Sequence, residues 1–507
     1  MNTKAKFVLV KNAFANVARG GSAAVIALFL APILTRWMSP VAYGAWSLVL
    51  QISAYVGYLD FGIQTAVGRF LAHANERGDA EQRDRIASTS LIALSAAAMV
   101  GIAIGVGVAL LLPRLFQQLP IPLVRDTRIA LLLVSSSLAV GLPASVFNGI
   151  FIGLQRYEVP AVIIGGSRAL SAVLLVLVVR HGGSLAAMGA AMAVVNLASY
   201  GVQYWMYRRM APMVRLSAHL VSRHAGRELF DYCLSLSIWS FAMLLVTGLD
   251  ISMVGYFQFE AVAYYAVAAT LTTFLAGLQN AAFGVLIPST AAQQARGDAK
   301  GLGCGMITAT RYGGFLLLIT GLPLVLSSRA ILYLWVGPLY ADHGGRLLQV
   351  LAAANMIRLS AVPYIMVLVG TGQQRLVTVT PLLEGLSNLL ASIVGGYLFG
   401  AVGVAGGTLV GALVGVGGNF FYNMPRTEGI AFRISDYLRD GMLRPAVCAL
   451  PLVIYVGLIE VSNSSDPVVK GLCLAAALLA TGFLTWRWGL LGTERERLRS
   501  WRLALQA

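Results

Sequence analysis

The stretch Val159 to Val179, VPAVIIGGSRALSAVLLVLVV, is a run of apolar and small residues interrupted by one charge, Arg168. Arg156 stands twelve residues before that charge and Arg180 twelve after it. Wound as a helix at 1.5 Å per residue, the stretch puts Arg168 roughly 18 Å from either flanking arginine, near the midplane of a bilayer. An arginine at that depth costs about 2.5 to 3.5 kcal/mol to insert, so it is expected to face a bundle interior or a watery cavity rather than lipid.

Outward from this stretch the chain keeps the same character. Of 507 residues, 58% are hydrophobic and only 11% charged, where a soluble protein carries about 25% charged residues. About fourteen windows of roughly twenty apolar residues follow one another. The second runs from Ala42 to Leu71, and the thirteenth, Pro445 to Ile459, is short. The fold class is therefore an all-α polytopic membrane protein of about fourteen transmembrane helices. Lys4, Lys6 and Lys11 before the first apolar run superficially resemble a secretory leader. That run continues past Arg19 to Thr35 and further spans follow it, so an uncleaved first helix is expected.

The formal charge of +16 would point to nucleic acid in a soluble protein. Here the lysines and arginines fall between the apolar windows. With the N-terminus in the cytoplasm, those in loops divide about three to one in favour of the cytoplasmic side. Both termini are then cytoplasmic, the basic segments meet anionic membrane lipids, and no nucleic-acid partner is expected. Cys233, Cys304, Cys448 and Cys473 lie in apolar windows without CxxC or Cys/His spacing, so they are read as packing residues, with neither disulfide nor metal.

An internal repeat organises the spans. VAYGAW at Val41 to Trp46 recurs as VAYYAV at Val262 to Val267, ERGDAEQ at Glu76 to Gln82 as ARGDAKG at Ala295 to Gly301, and GLQR at Gly153 to Arg156 as GQQR at Gly372 to Arg375. The offsets, 221, 219 and 219 residues, agree after a two-residue gap. A six-span repeat returns each half to the same orientation, which relates the halves by an axis along the membrane normal. The expected organisation is an N-lobe of helices 1–6 with a basic linker (1–227) and a C-lobe of helices 7–12 (228–425) around a central cavity, followed by helices 13–14 and a basic tail (426–507). The linker, Arg208 to Glu228, is expected to be a basic cytoplasmic connector, either a solvated segment at anionic headgroups or a helix at the lipid interface.

No P-loop, HExxH or GxSxG occurs, and neither catalytic residues nor a cofactor are expected. The outer loop Ser327 to Arg346 reads as an interfacial aromatic stretch, in which Asp342 and His343 are ordinary loop residues rather than a catalytic pair. What stands out is the set of ionisable residues inside spans: Arg19, Arg69, Arg168, Arg311 and Arg358 against Asp60, Asp250 and Glu384. Such residues pair with one another or mark a substrate path. The arginine excess predicts a cationic cavity for an anion, since the guanidinium fork matches phosphate oxygens. Arg19 and Arg69 lie near enough to the cytoplasmic face to snorkel. The three acids are candidates for ion coupling or for ion pairs with the arginines. Asp60, before Phe61 and Gly62, is a candidate either for a ligand site at a helix break or for capping a kink. The glycine run GVAGGTLVGALVGVGG, Gly403 to Gly418, allows close helix approach.

The N-terminal pattern NxxxxxxRGG from Asn12, the segment LAPILTRWMSPVAYGAWSLV from Leu30 to Val49 and the second-span pattern YLDFGIQTAVGRF from Tyr58 to Phe70 resemble the polysaccharide transporter family. These are the Wzx-type flippases for O-antigen, capsule and exopolysaccharide precursors, within the multidrug/oligosaccharidyl-lipid/polysaccharide exporter superfamily. The resemblance implies a V-shaped pair of lobes in the bacterial inner membrane. It implies flipping of an undecaprenyl-diphosphate-linked oligosaccharide by alternating access, with coupling to a proton or sodium gradient and a polymerase or other biosynthetic complex as partner. Competing readings are a cation-coupled multidrug antiporter of the same superfamily, which needs cavity acids, and a membrane polymerase or ligase, which needs a catalytic outer loop. A peptidoglycan-precursor flippase is a nearer relative that the residues do not separate.

Overall fold

The computed structural model describes residues 24–373, 376–462, 467–492 and 494–496. Among these, every regular element is helical, as lipid demands of a chain whose backbone must satisfy itself. The first half comprises α1 (Ala24–Trp37), α2 (Pro40–Ala54), α3 (Ile63–Glu76), α4 (Ala80–Leu115), α5 (Ile121–Gly153), α6 (Glu158–Arg180) and α7 (Leu185–Met210). The second comprises α8 (Arg223–Met243), α9 (Asp250–Phe257), α10 (Val262–Phe283), α11 (Leu286–Ala295), α12 (Ala299–Thr320), α13 (Leu322–Leu326), α14 (Ser328–Val336), α15 (Pro338–Leu359), α16 (Val362–Gly370) and α17 (Leu376–Gly418). A short α18 (Ile434–Asp436), then α19 (Arg444–Ser462) and α20 (Pro467–Leu484), close the described chain. Nine segments among the described residues are long and apolar enough to cross a membrane, ten if the bent pair Arg223–Leu234 and Leu236–Gly248 is one span. The count of fourteen is not fixed by these criteria. Large apolar side chains such as Leu334, Tyr397, Phe421 and Leu479 are exposed around the bundle, which suits a lipid solvent.

The repeat is visible as geometry. Gly78 and Gly297 both end a helix with φ near +70° (69° and 71°), a conformation that favours glycine. The next residues, Asp79 and Asp298, then cap α4 and α12 through 2.8 Å bonds from the amides of Gln82 and Gly301. The first repeat pair goes further, because α2 and α10 pack on each other: a Cβ on Gly44 would stand 3.2 Å from the Ala263 amide nitrogen. Tyr43 and Tyr264, equivalent in the repeat, both present edges to Tyr340, with centroids at 6.4 and 5.4 Å.

Around this crossing the face bearing Trp37, Gln118 and Trp335 is sealed between the halves. Gln118, just past the end of α4, donates to the Phe257 carbonyl at 3.3 Å and accepts from the Phe259 amide at 2.9 Å. The Trp335 indole donates to the Leu28 carbonyl at 3.2 Å. On the opposite face, bearing Arg77 and Arg296, α8 leans on α3, with Tyr232 edge-on to Phe70 at 5.5 Å.

Two expectations are corrected. The linker is no interfacial helix: α7 runs to Met210, and an extended strap with one 3-10 turn (Ala218–Leu220) leads to α8. It is bound along α4, where Asp84 accepts from the Arg215 amide at 3.1 Å, Ser88 from Ser217 at 3.1 Å and Thr89 from Ser222 at 3.2 Å. The stretch from Ser327 to Arg346 is helical, in α14 and the start of α15. Asp342 there pairs with Arg329 at 2.6 Å, not with His343, whose ring stacks on Tyr264 at 4.8 Å. The glycine run does allow a close helix approach, within a single hairpin. α17 reverses at Gly400 (φ 59°, ψ −137°), and Gly403, Gly407, Gly411 and Gly415, four apart, bring its second arm against Gly395, Ser392, Asn388 and Glu384 of its first.

Candidate functional site

Between the halves, at the depth where Gln51 meets α9, lies a cavity of about 420 Å³. It is built around a change of helix type. From Leu244 to Gly248 the chain takes a π-helical turn between α8 and α9, which leaves carbonyls outside the regular ladder. Side chains from both halves satisfy them: Gln51 of α2 donates to the Gly248 carbonyl at 2.6 Å, and Asn388 of α17 to the Val246 carbonyl at 2.9 Å. Tyr55 reinforces the junction through a 2.7 Å bond to Ser252. Asp250 follows the π turn as the first residue of α9 and is thereby set at the cavity wall.

The Asp250 carboxylate is buried, and its Oδ2 accepts from the Thr408 hydroxyl at 3.3 Å. Tyr265 of α10 and Asn355 and Arg358 of α15 complete the polar side of the wall. Arg358 donates to Asn355 Oδ1, one turn back on the same helix, and its Nη1 stands 4.0 Å from Oε1 of Glu384. Glu384 is buried against Gly415, where a Cβ would run into its carboxylate. Arg358 keeps 21% of its side chain exposed.

The eight ionisable candidates do not assemble into one cluster. Arg358, Asp250 and Glu384 come together. Arg168 is half-buried on α6, which packs on α7, and it is not among the residues lining the cavity. Arg311 is fully buried elsewhere, paired with Glu494 and bonded to the Asp440 carbonyl at 3.3 Å. That partner is outside the three acids considered for it. Arg69 is exposed on α3, its guanidinium 4.7 Å from the Tyr232 ring centroid. Asp60 ends a 3-10 turn (Tyr55–Asp60), accepts from Ser145 at 3.1 Å and caps α3 through the Gln64 amide at 3.5 Å. There Phe61 and Gly62 turn the chain at φ 49° and 77°, so Asp60 stands at a break in the helix. Arg19 lies outside the described residues. Among the described residues, then, the cavity wall carries one guanidinium and one carboxyl, Arg358 and Asp250, with Glu384 buried beside Arg358, not the arginine excess that the spans as a whole display.

Tyr265, Thr408 and Gln118 are parts of the site and its seal that the motifs did not flag. Tyr265 had a signal. The repeat VAYGAW to VAYYAV changes Gly44 into Tyr265, and the two positions do different work: Gly44 admits the neighbouring helix, Tyr265 lines the cavity.

A family model described as polysaccharide biosynthesis protein matches residues 9–293, which takes in α1 to α10 and most of α11. The chain belongs to that family. No curated protein matches it in sequence. Among solved structures, this polysaccharide biosynthesis family member is similar to the lipid II flippase MurJ in an inward closed conformation, with a TM-score of 0.70 at 13% identity over 91% of this chain and 96% of that one. It is also similar to a multidrug resistance MATE family transporter of the MOP superfamily in an inward-facing conformation (TM-score 0.54, 16% identity, 82% and 94% covered). A third is a MOP superfamily transporter from Pyrococcus furiosus, described as having a binding pocket of reverse polarity (TM-score 0.54, 16% identity, 83% and 96% covered). At these identities the likeness shows the fold: the family member is a membrane protein with the architecture of this transporter superfamily.

Proposed function

We propose that the protein flips an undecaprenyl-diphosphate-linked oligosaccharide across the bacterial inner membrane by alternating access of the two halves, coupled to an ion gradient. The face sealed by Gln118 and Trp335 is then the outer one, and both termini are cytoplasmic. The observation that carries the reading is Arg358, part-exposed at the wall of a cavity between the halves of a polysaccharide biosynthesis family member. Its planar fork is suited to diphosphate oxygens, while Gln51, Asn355 and the threonines of the wall offer hydrogen bonds to sugar hydroxyls. On the other side of α15, around Met356, Ser360 and Phe420, an apolar groove of about 690 Å³ fits a polyisoprenoid tail. Asp250 and Glu384 are the groups to which a coupling proton or sodium ion would bind.

The test is complementation. A strain lacking the protein is expected to lose surface polysaccharide and to accumulate lipid-linked repeat units on the cytoplasmic side, with wild type restoring the polymer and Arg358→Ala failing while still inserting. One observation favours a second reading: two carboxylates beside the cavity suit a cationic drug. Under that reading the strain becomes drug-sensitive and keeps its polymer.

A further inference from the structure

As drawn, the charges of the cavity oppose the anion assigned to it. Arg358 brings one guanidinium to the wall, against the Asp250 carboxyl on the wall and the Glu384 carboxyl beside it, two negative charges when both are ionised. The other titratable groups packed around them, Tyr265 on α10 and Tyr55 at the end of α2, are phenols. A diphosphate entering this wall meets a surplus of negative charge where the low dielectric magnifies it.

The contacts of Arg358 show how the opposition is lifted. Its approach to Glu384, at 4.0 Å, is well beyond the roughly 2.7 to 2.9 Å of a charge-assisted hydrogen bond, so the pair is close but not locked. Asn355 holds one nitrogen of the fork from within α15 and leaves the rest of it to choose partners. Both carboxyls are buried, Glu384 beside Gly415 and Asp250 bonded to Thr408 just after the π turn, whereas Arg358 keeps part of its side chain exposed. The arginine is the member that exchanges.

We propose that the anionic headgroup takes Arg358 from its carboxylates, and that this exchange draws one positive charge, a proton or an alkali cation, onto Asp250 and Glu384. Two buried carboxylates left without their guanidinium are several kcal/mol out of balance, and a cation from water restores them. Anion and cation then load together, each raising the other's affinity by the same factor. This is opposite in sign to an antiporter, in which a drug cation competes with the coupling ion for the carboxylates. The inference rests on the reading of Arg358 as the headgroup's contact.

The test uses the full chain in lipid nanodiscs, with inorganic pyrophosphate as the probe and isothermal titration calorimetry as the readout. Titrations run in choline chloride, and again with sodium or potassium replacing choline, each in two buffers of different ionisation enthalpy. If the charge is an alkali cation, pyrophosphate affinity rises about tenfold on replacing choline. If it is a proton, about one proton is taken up per pyrophosphate bound, whichever salt is present. The variant carrying both Asp250→Asn and Glu384→Gln is expected to bind pyrophosphate at least as tightly as wild type, with both dependences gone. Should that variant fail to fold, Glu384→Gln alone is read for a reduced dependence. Binding by wild type with neither cation dependence nor proton uptake overturns the inference and leaves the flippase reading standing, as does a dependence undiminished in the variants. No binding by wild type at all removes Arg358 as the headgroup contact, and the inference falls with it.

Discussion

Gly44 of α2 and Ala263 of α10 touch across the boundary between the halves: a Cβ on Gly44 would lie 3.2 Å from the Ala263 amide nitrogen and 3.4 Å from the Val262 Cβ. A larger residue has nowhere to go without parting the two helices. Gly44→Val is therefore expected to open the sealed face. The check is a cysteine placed at Thr270 in the cavity, in a background with the four native cysteines changed to serine. Its labelling by a membrane-impermeant thiol reagent from outside the cell is predicted to rise severalfold over that in an otherwise unchanged Gly44 protein.

Gln118 ties the same face together through two hydrogen bonds to backbone groups near the end of α9. Gln118→Ala removes both and leaves the Phe257 carbonyl and Phe259 amide unserved while the face is closed. That costs the closed state about 1 to 3 kcal/mol, which moves the balance toward the open state by roughly five- to hundredfold. Spin labels on α4 and α9 near this face, read by pulsed dipolar spectroscopy, are predicted to show a longer distance at increased population in the variant.

Arg311 and Arg358 separate structure from transport. Arg311 is fully buried against Glu494, and its removal strands a carboxylate in the interior, a loss of about 3 to 5 kcal/mol. Arg311→Ala is predicted to lower the melting temperature in detergent and the amount of protein in the membrane. Arg358, part-exposed with a loose pair, is predicted to tolerate Arg358→Ala with protein levels near wild type and activity gone.

The hairpin of α17 offers a third contrast. A Cβ at Gly411 would stand 2.8 Å from the Asn388 Cβ, whereas one at Gly406 meets nothing within 4 Å. Gly411→Leu is predicted to destabilise the protein by more than about 1 to 3 kcal/mol, because backbone, not a flexible tip, stands in the way. Gly406→Ala is predicted to leave the melting temperature unchanged or slightly raised.

These residues also show what the sequence carries and what it hides. Helical class and membrane residence follow from composition, because a span needs its apolar length whatever it packs on. The recurrence of ERGDAEQ as ARGDAKG is legible in the sequence, and the structure gives it a local form, glycine at positive φ followed by an aspartate cap at both Gly78 and Gly297. A residue's place along its apolar window is written in the sequence, but its helix face is not. Arg168, Arg311 and Arg358 all sit deep in their spans, and only packing decides that one stands on α6 beside α7, one against Glu494 and one at the cavity. Glu494, 183 residues from Arg311, lies in the basic tail, where no span-based pairing would look. Gln118 carries no motif, because its bonds are to backbone and any loop glutamine looks the same. Asn388 serves a π turn whose place no periodicity announces.

The most direct measurement is the translocation rate of a purified undecaprenyl-diphosphate-linked oligosaccharide in proteoliposomes, read by enzymatic accessibility of the sugar at the outer leaflet. Wild type is predicted to move the lipid, and Arg358→Ala to reduce the rate to that of protein-free vesicles although the variant is folded and inserted. Translocation by Arg358→Ala at the wild-type rate would contradict the account, because the guanidinium at the cavity wall would then have no part in carrying the headgroup across.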